Sequence, residues 1–417
     1  MANSKNPIEQ LELRRTWVQQ VDGVIREFRR LVIDCQVPVA RLEACHEQAF
    51  AHFLNVKAQN EMIVNSLLRW RALPLLHNLI LDLSRLLNPY GLQQKEPESR
   101  IKLIADWQPR FESILGFILT ISRWLCPQPT SEPYRTDDQF HNGVKSYRLQ
   151  RLKANLSQAH LEISRCCNVA CDLLEHSQQS GQVSQYQRDT YVRVLRFTKQ
   201  AVKSIRDADE CMRGSELDVV EASWREQIDR IDGLFRDIVI AAAASEHDCL
   251  TIGIQPAHEY RLIILDRSRF LKLVKSAIPM IKISKLLFTK ISKRGMNRKP
   301  LEFSTEMCSD QIKSLEQTAS YVFQDLTQLF ILLRRAHNGA QVPLTSRDLI
   351  VVARRLQSRF EAPLAILLLY LIPAIPDTEG FPLQTYYKDW LVTWNTQRIL
   401  ATRNFINAAR LVGTHPL

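Results

Sequence analysis

Apolar residues recur at three- and four-residue spacing along almost the whole chain, and strict alternation is nearly absent. That period lines them up on one face of successive α-helices. Ile8, Leu11, Val18, Val21, Ile25, Phe28 and Val32 form a first stripe, which stops before Pro38. A second runs from about Val39 to Leu73, a third from Leu75 to Leu87, and a fourth from Ile101 to Leu125. The sequence Asn88-Pro89-Tyr90-Gly91 separates the last two. After a polar segment containing Pro127, Pro129 and Pro133, stripes resume near 145–180, 184–213, 216–246, 260–294, 304–338, 346–372 and 383–411.

Helix starts are marked as well. Ser184 with Gln187, Ser215 with Asp218, and Thr345 with Asp348 each place a hydroxyl three residues before a side chain that can reach back to its amide. Helices of about 30 residues would be roughly 45 Å long, and such helices bury their stripes against one another as bundles. The pattern predicts an all-α fold of long amphipathic helices packed as two antiparallel up-and-down bundles. Its expected divisions are an N-terminal bundle over 1–126, a proline-rich linker over 127–144 and a C-terminal bundle region over 145–417. No repeat of fixed period points to a solenoid.

Composition narrows the functional classes. Only 12 of 417 residues are glycine, and no two lie closer than Gly214 and Gly233. Glycine-rich phosphate loops, which bring backbone amides up to a phosphate, are therefore excluded. The longest apolar run, Leu364 to Ile372 between Pro363 and Pro373, is far short of the ~20 residues a bilayer demands, and reads as a buried helix. Met1-Ala2-Asn3-Ser4-Lys5 leads straight into a charged amphipathic pattern, and the nine cysteines are scattered without a CxxC. These features predict reduced thiols in an intracellular, cytoplasmic or nuclear, protein.

The catalytic and metal patterns tested fail on spacing. Cys166, Cys167 and Cys171 cluster near His160 and His176, but neither CxxC nor HxxxH supplies a zinc knuckle. Glu43 and His46 form a single ExxH where a di-iron bundle needs two, and the histidine after His46-Glu47 is His52, so the zincin helix is absent. Asp137-Asp138-Gln139-Phe140-His141 lacks the later carboxylate of an aspartate-rich magnesium cluster and reads as a polar loop. No catalytic residue, metal or cofactor is predicted.

Two further features stand out. Leu383, Tyr387, Trp390 and Trp394, with Tyr386 beside them, form a dense aromatic stripe continued by Ala401 and Phe405. It reads as core or as a partner groove, since Trp and Tyr anchor interfaces. The span 267–299 holds eleven of the 55 basic residues and no Asp or Glu. The remaining 44 basic residues equal the 44 acidic ones, so the net charge of +11 resides in this one segment. At 100° per residue, Phe270, Leu273, Val274, Ala277, Met280, Ile281, Leu287, Phe288 and Ile291 share one side. Lys272, Lys275, Lys282, Lys285, Lys290 and Lys293 lie mostly opposite. Pro279 should kink the helix, and Arg294, Arg298 and Lys299 fall in a basic loop around Gly295. This helix reads as a solvated bundle face, as a docking element for an anionic membrane or acidic protein, or as a contact for nucleic-acid phosphates.

The run Phe270-Leu-Lys-Leu-Val-Lys-Ser-Ala-Ile-Pro-Met-Ile-Lys-Ile-Ser-Lys-Leu-Leu-Phe, with Lys293-Arg-Gly-Met-Asn-Arg-Lys299 and Thr305-Glu-Met-Cys-Ser-Asp-Gln311, resembles helical proteins of basidiomycete, rust-type fungi. The resemblance implies a fungal origin and a family without an assigned reaction. In architecture the two-bundle plan is also similar to the cyclin-D-interacting (GCIP-like) and vinculin/talin-type helical proteins. The expected function is that of a non-enzymatic interaction or scaffold protein with a protein partner. The alternative is peripheral binding of an anionic membrane surface or nucleic acid through 267–299.

Overall fold

The structure, a computed structural model, describes residues 7–36, 66–92, 97–125, 138–139, 145–177, 183–251, 259–292, 296, 304–337, 346–377, 380 and 382–412. Every regular element among them is helical. The second expected stripe lies largely outside the described residues, as do Glu43, His46, Glu47, His52, Asp137 and Thr345.

The chain divides into two compact units, one of Met1–Pro133 with Arg148–Arg213, the other of Tyr134–Tyr147 with Gly214–Leu417. The first contains α1 (Pro7–Gln36), α2 (Leu73–Leu86, preceded by a π-helical turn Leu68–Ala72), the short α3 (Pro89–Leu92) and α4 (Pro97–Leu125). It also holds nearly all of α5 (Ser146–Ser177), and α6 (Gln185–Arg213). This division differs from the one expected at the prolines of 127–144. The apolar faces of α1, α2 and α4 leave a flank that α5 and α6 close. Cys171 of α5 points its thiol at the Ile25 carbonyl at 3.8 Å, and the Tyr191 hydroxyl of α6 donates to the Ser84 carbonyl at 3.1 Å. Between α1, α2 and α4, Trp107 stacks on Phe111 at 4.5 Å and donates its indole N–H to the Leu79 carbonyl at 2.9 Å. The buried Gln108 amide donates to the Val24 carbonyl at 2.8 Å. Each of these buried donors has a partner, as burial in an apolar core requires.

The second unit contains α7 (Glu216–Thr251), α8 (Glu259–Ile291), α9 (Ser309–His337), α10 (Ser346–Ser358), α11 (Glu361–Ile366) and α12 (Leu383–Val412). The single stripe expected over 346–372 is interrupted at Arg359-Phe360 and ends in a π-helical turn, Leu367–Leu371, closed by the Ile372 amide on the Leu367 carbonyl at 2.9 Å. Leu367, Leu371 and Ile372 are buried there, while Leu368 and Leu369 face solvent, so the run is amphipathic rather than wholly buried. Four rings thread the core: Trp224 meets Phe288 edge-on at 5.3 Å, Phe288 lies 6.2 Å from Phe360, and Phe360 meets Trp394 at 5.2 Å. Such offset and edge contacts add to the burial of the rings themselves.

Both capping pairs within the described residues form as predicted. Ser184 and Gln187 exchange backbone-to-side-chain bonds of 2.8 and 3.2 Å, and Ser215 and Asp218 bonds of 2.9 and 3.1 Å. α8 continues through Pro279. Proline removes the donor that would have bonded the Lys275 carbonyl. Pro279 and Lys275 both lie on the exposed side, where water reaches that carbonyl.

Candidate functional site

The basic helix α8 was the sequence's main functional candidate. All of its expected apolar residues from Leu273 to Ile291 are buried, packed between α7, α9 and α12. Its position explains where the lysines point. Lys285 pairs with Asp232 of α7 at 2.5 Å, and the Lys282 ammonium lies 5.4 Å from the Phe235 ring centre. Lys272, Lys275 and Lys282 are exposed. Lys293, Arg294, Arg298 and Lys299 lie outside the described residues.

Lys290 takes a different course. Its ammonium lies 4.7 Å from the ring centre of Tyr386, 5.3 Å from that of Tyr387 and 5.4 Å from that of Trp390, and donates to the Tyr386 hydroxyl at 2.9 Å. The aromatic stripe of α12 therefore splits in two. Tyr387, Trp394, Ala401 and Phe405 are buried, with the Trp394 indole N–H donating to the Ile283 carbonyl at 2.8 Å. Tyr386 and Trp390 stand at the margin around Lys290, with Tyr386 crossing Tyr387 at 5.1 Å. The contacts of Lys290 with Tyr386 and of Ile283 with Trp394 show that α8 and α12 run antiparallel. From 390 to 412, α12 also carries no Asp or Glu. Its exposed cations Arg403 and Arg410 and exposed apolar residues Val392 and Leu400 add to those of α8.

Sequence reasoning missed a buried ionic cluster in the second unit. The Lys145 and Glu216 side chains are each only 2% exposed and pair at 2.7 Å. The Lys145 ammonium also donates to the Thr305 and Met307 carbonyls, each at 2.6 Å, which uses its three protons. The other Glu216 oxygen accepts from the Thr305 amide at 3.0 Å and from its hydroxyl. Alongside, Asp138 accepts from the Ser309 amide at 2.8 Å, the Ser309 hydroxyl at 2.6 Å and the Ser146 amide at 3.1 Å. One carboxylate thus caps the first turns of both α5 and α9, where its charge also opposes the positive helix ends. The expected polar loop holds a structural anchor. Its partners lie 171 and 8 positions away, and no local spacing announces them.

The cysteine and histidine candidates around 160–176 all lie on α5. Cys166 and Cys171 are pushed up to about 11 by burial, which keeps them as thiols. His176 contacts the Asp172 carbonyl at 2.7 Å and the Tyr186 ring. Among the described residues, no three His, Cys, Asp or Glu side chains converge as metal ligands. Buried Asp325 accepts from Arg355 and Arg359 at 2.7 and 2.9 Å. The Arg398 guanidinium, lowered below its ordinary value by burial, donates to the Gln357 carbonyl and to Asn395. Among the described residues, no helix is long and apolar enough to cross a membrane.

Two families match the chain side by side. One described as Domain of unknown function (DUF8723) covers residues 60–213, and one described as Domain of unknown function (DUF8721) covers 215–407. Their border coincides with the division at Arg213 and Gly214. No curated protein and no solved structure matches the chain.

Proposed function

We propose that the protein is a non-enzymatic helical interaction or scaffold protein that docks an acidic surface of a protein partner along the outer faces of α8 and α12. The observation that carries this reading is the fate of α8. Its apolar side is consumed by the core, while Lys272 and Lys282 face solvent beside an antiparallel helix carrying Arg403 and Arg410. Neither 267–299 nor 390–412 contains a carboxylate of its own, and from α7 Asp232 takes only Lys285. Exposed Leu286, Val392 and Leu400 supply apolar contacts among these cations, the mixture found at non-obligate interfaces.

The alternative of peripheral membrane binding asks an amphipathic helix to sink its apolar face into the headgroup boundary. From Leu273 to Ile291 that face is already occupied, which leaves the alternative with surface charge and the scattered exposed Leu286, Val392 and Leu400. With the interaction reading goes an intracellular setting in a fungal cell, on the resemblance at 270–311 and the scattered thiols.

The test is affinity capture and cross-linking from a native fungal extract, using the whole protein and a Lys272→Glu/Lys282→Glu/Arg403→Glu variant. The expected result is a stoichiometric protein that the native chain retains at low salt, with cross-links on α8 or α12, and that the variant loses without any change in its circular dichroism. Equal capture by both chains overturns the surface. Flotation with phosphatidylserine vesicles, or retention on DNA in the absence of a protein partner, transfers it to the alternative.

A further inference from the structure

We propose that Tyr386, Tyr387 and Trp390 form a binding site for an alkylated ammonium group, kept closed in the free protein by the chain's own Lys290. The proposal stands on this cluster alone and is independent of the acidic-partner reading. One cation near one ring is common in proteins. Here the rings of Tyr387 and Trp390 and the hydroxyl of Tyr386, all near the start of α12, converge on a single ammonium, with the ring centres 5.3 and 5.4 Å and the oxygen 2.9 Å away. Convergent aromatic faces are the arrangement by which proteins hold methylated ammonium ions, because the ring quadrupoles stabilise a cation whose methyl groups have weakened its hydration.

The surroundings favour a cation at this place. Lys290 stands in the last turn of α8, where the carbonyl end of the helix is partially negative. The occupant enters from a rim open to solvent: Tyr386 is 40% exposed, whereas Tyr387 is 8% exposed and forms the inner wall. The Tyr386 hydroxyl accepts the one hydrogen bond that Lys290 makes within the cluster. That contact sets a preference. A mono- or dimethylated ammonium keeps an N–H for the Tyr386 oxygen while its methyl groups face Tyr387 and Trp390. A quaternary ammonium fills the same rings but leaves that oxygen without its donor.

Lys290 competes as an intramolecular ligand. A tethered group reaches an effective concentration in the millimolar range, so it masks about tenfold a site that holds it with a dissociation constant about a tenth of that concentration. Its primary ammonium is more strongly hydrated than a methylated one, so the plug can be displaced. The chemistry required of the incoming group is fixed by the cage. The group can be carried by a free small cation or by the methylated lysine side chain of another protein.

The experiment is isothermal titration calorimetry of the whole protein with dimethylammonium, with tetramethylammonium, and with a short peptide bearing dimethyllysine. Neutral tert-butanol serves as the uncharged control of similar shape. The native chain should bind dimethylammonium weakly. Lys290→Met, which keeps the aliphatic stem and removes the charge, should bind it about tenfold more tightly, a change of about 1.4 kcal/mol. Lys290→Arg should stay closed, and Trp390→Leu in the Lys290→Met background should abolish binding. Lys290→Gln serves the same purpose should the methionine variant not fold. Tighter binding of the peptide than of the free cation identifies a protein-borne ligand, and equal binding a small cation. Either result supports the site. The proposal is overturned if folded Lys290→Met or Lys290→Gln binds none of the cations, or binds tert-butanol as well as it binds them.

Discussion

Replacing Lys145 by methionine probes the interior of the second unit directly. The side chain is 2% exposed, and its ammonium serves Glu216 and two backbone carbonyls at 2.6 to 2.7 Å. Methionine fills a similar volume but donates nothing. The Glu216 carboxylate then keeps its bonds from Thr305 but loses its counter-ion in a water-excluded site. Removing one partner of a buried pair costs about 3–5 kcal/mol. The two orphaned carbonyls push the loss towards the upper end of that range, since each unmet acceptor carries a penalty of about 1–3 kcal/mol. In a unit of this size each kcal/mol moves the midpoint by roughly 2–4 °C, so thermal unfolding followed by near-ultraviolet circular dichroism should shift by about 6–20 °C. The double variant Lys145→Met/Glu216→Gln removes the stranded charge and should recover part of the loss. Hydrogen exchange should quicken at the first turn of α9, whose start is anchored next to the cluster through Asp138. A loss under about 1 kcal/mol, the range of an exposed lysine, would refute the reasoning. So would a double variant whose cost equals the sum of the single costs.

Three further outcomes follow from the packing. Gly23→Ala and Gly233→Ala fill open space within α1 and α7. Each should raise stability in urea denaturation by about 0.5–1 kcal/mol through helix propensity, and a decrease would show an unrecognised packing demand. Asp325→Ala strips Arg355 and Arg359 of their shared buried acceptor. It should cost about 1.5–3 kcal/mol by the same assay, in line with charge-assisted hydrogen bonds. Cys166 and Cys171 ionise near 11 in the fold, against an ordinary value of 9.0. The unfolded chain therefore gives up those protons first, and the first unit should lose stability as pH rises from about 9 to about 11. Mass-spectrometric mapping of iodoacetamide adducts at pH 8 should find both thiols unmodified until the chain unfolds, and rapid native labelling would contradict their burial.

Local chemistry made much of the fold legible. Ser184 with Gln187 and Ser215 with Asp218 close their boxes because both partners lie within one helical turn. The apolar side of 273–291 is buried as the 100° projection places it, because a helix with one apolar face has only one way to shield it from water. The candidate site was less legible. Its lysines were identifiable as basic, but their directions depend on neighbours: Asp232 on α7 takes Lys285, and Tyr386, Tyr387 and Trp390 on α12 take Lys290. The aromatic stripe was visible as one feature, whereas burial divides it into a core half and a marginal half.

Two levels of information thus separate. The sequence by itself determined the all-α class, the approximate ends of most long helices, the inward face of α8 and the concentration of the whole net charge in 267–299. Each of these follows from interactions between residues a few positions apart, or from composition. The tertiary structure decided where one unit ends and the next begins. It also joined Asp138 and Lys145 to helices starting more than 60 positions downstream, and it turned a lysine expected to face an anion into a ring of aromatic side chains. These outcomes depend on which amphipathic faces meet. Many pairings bury a stripe equally well, and only the assembled packing selects among them.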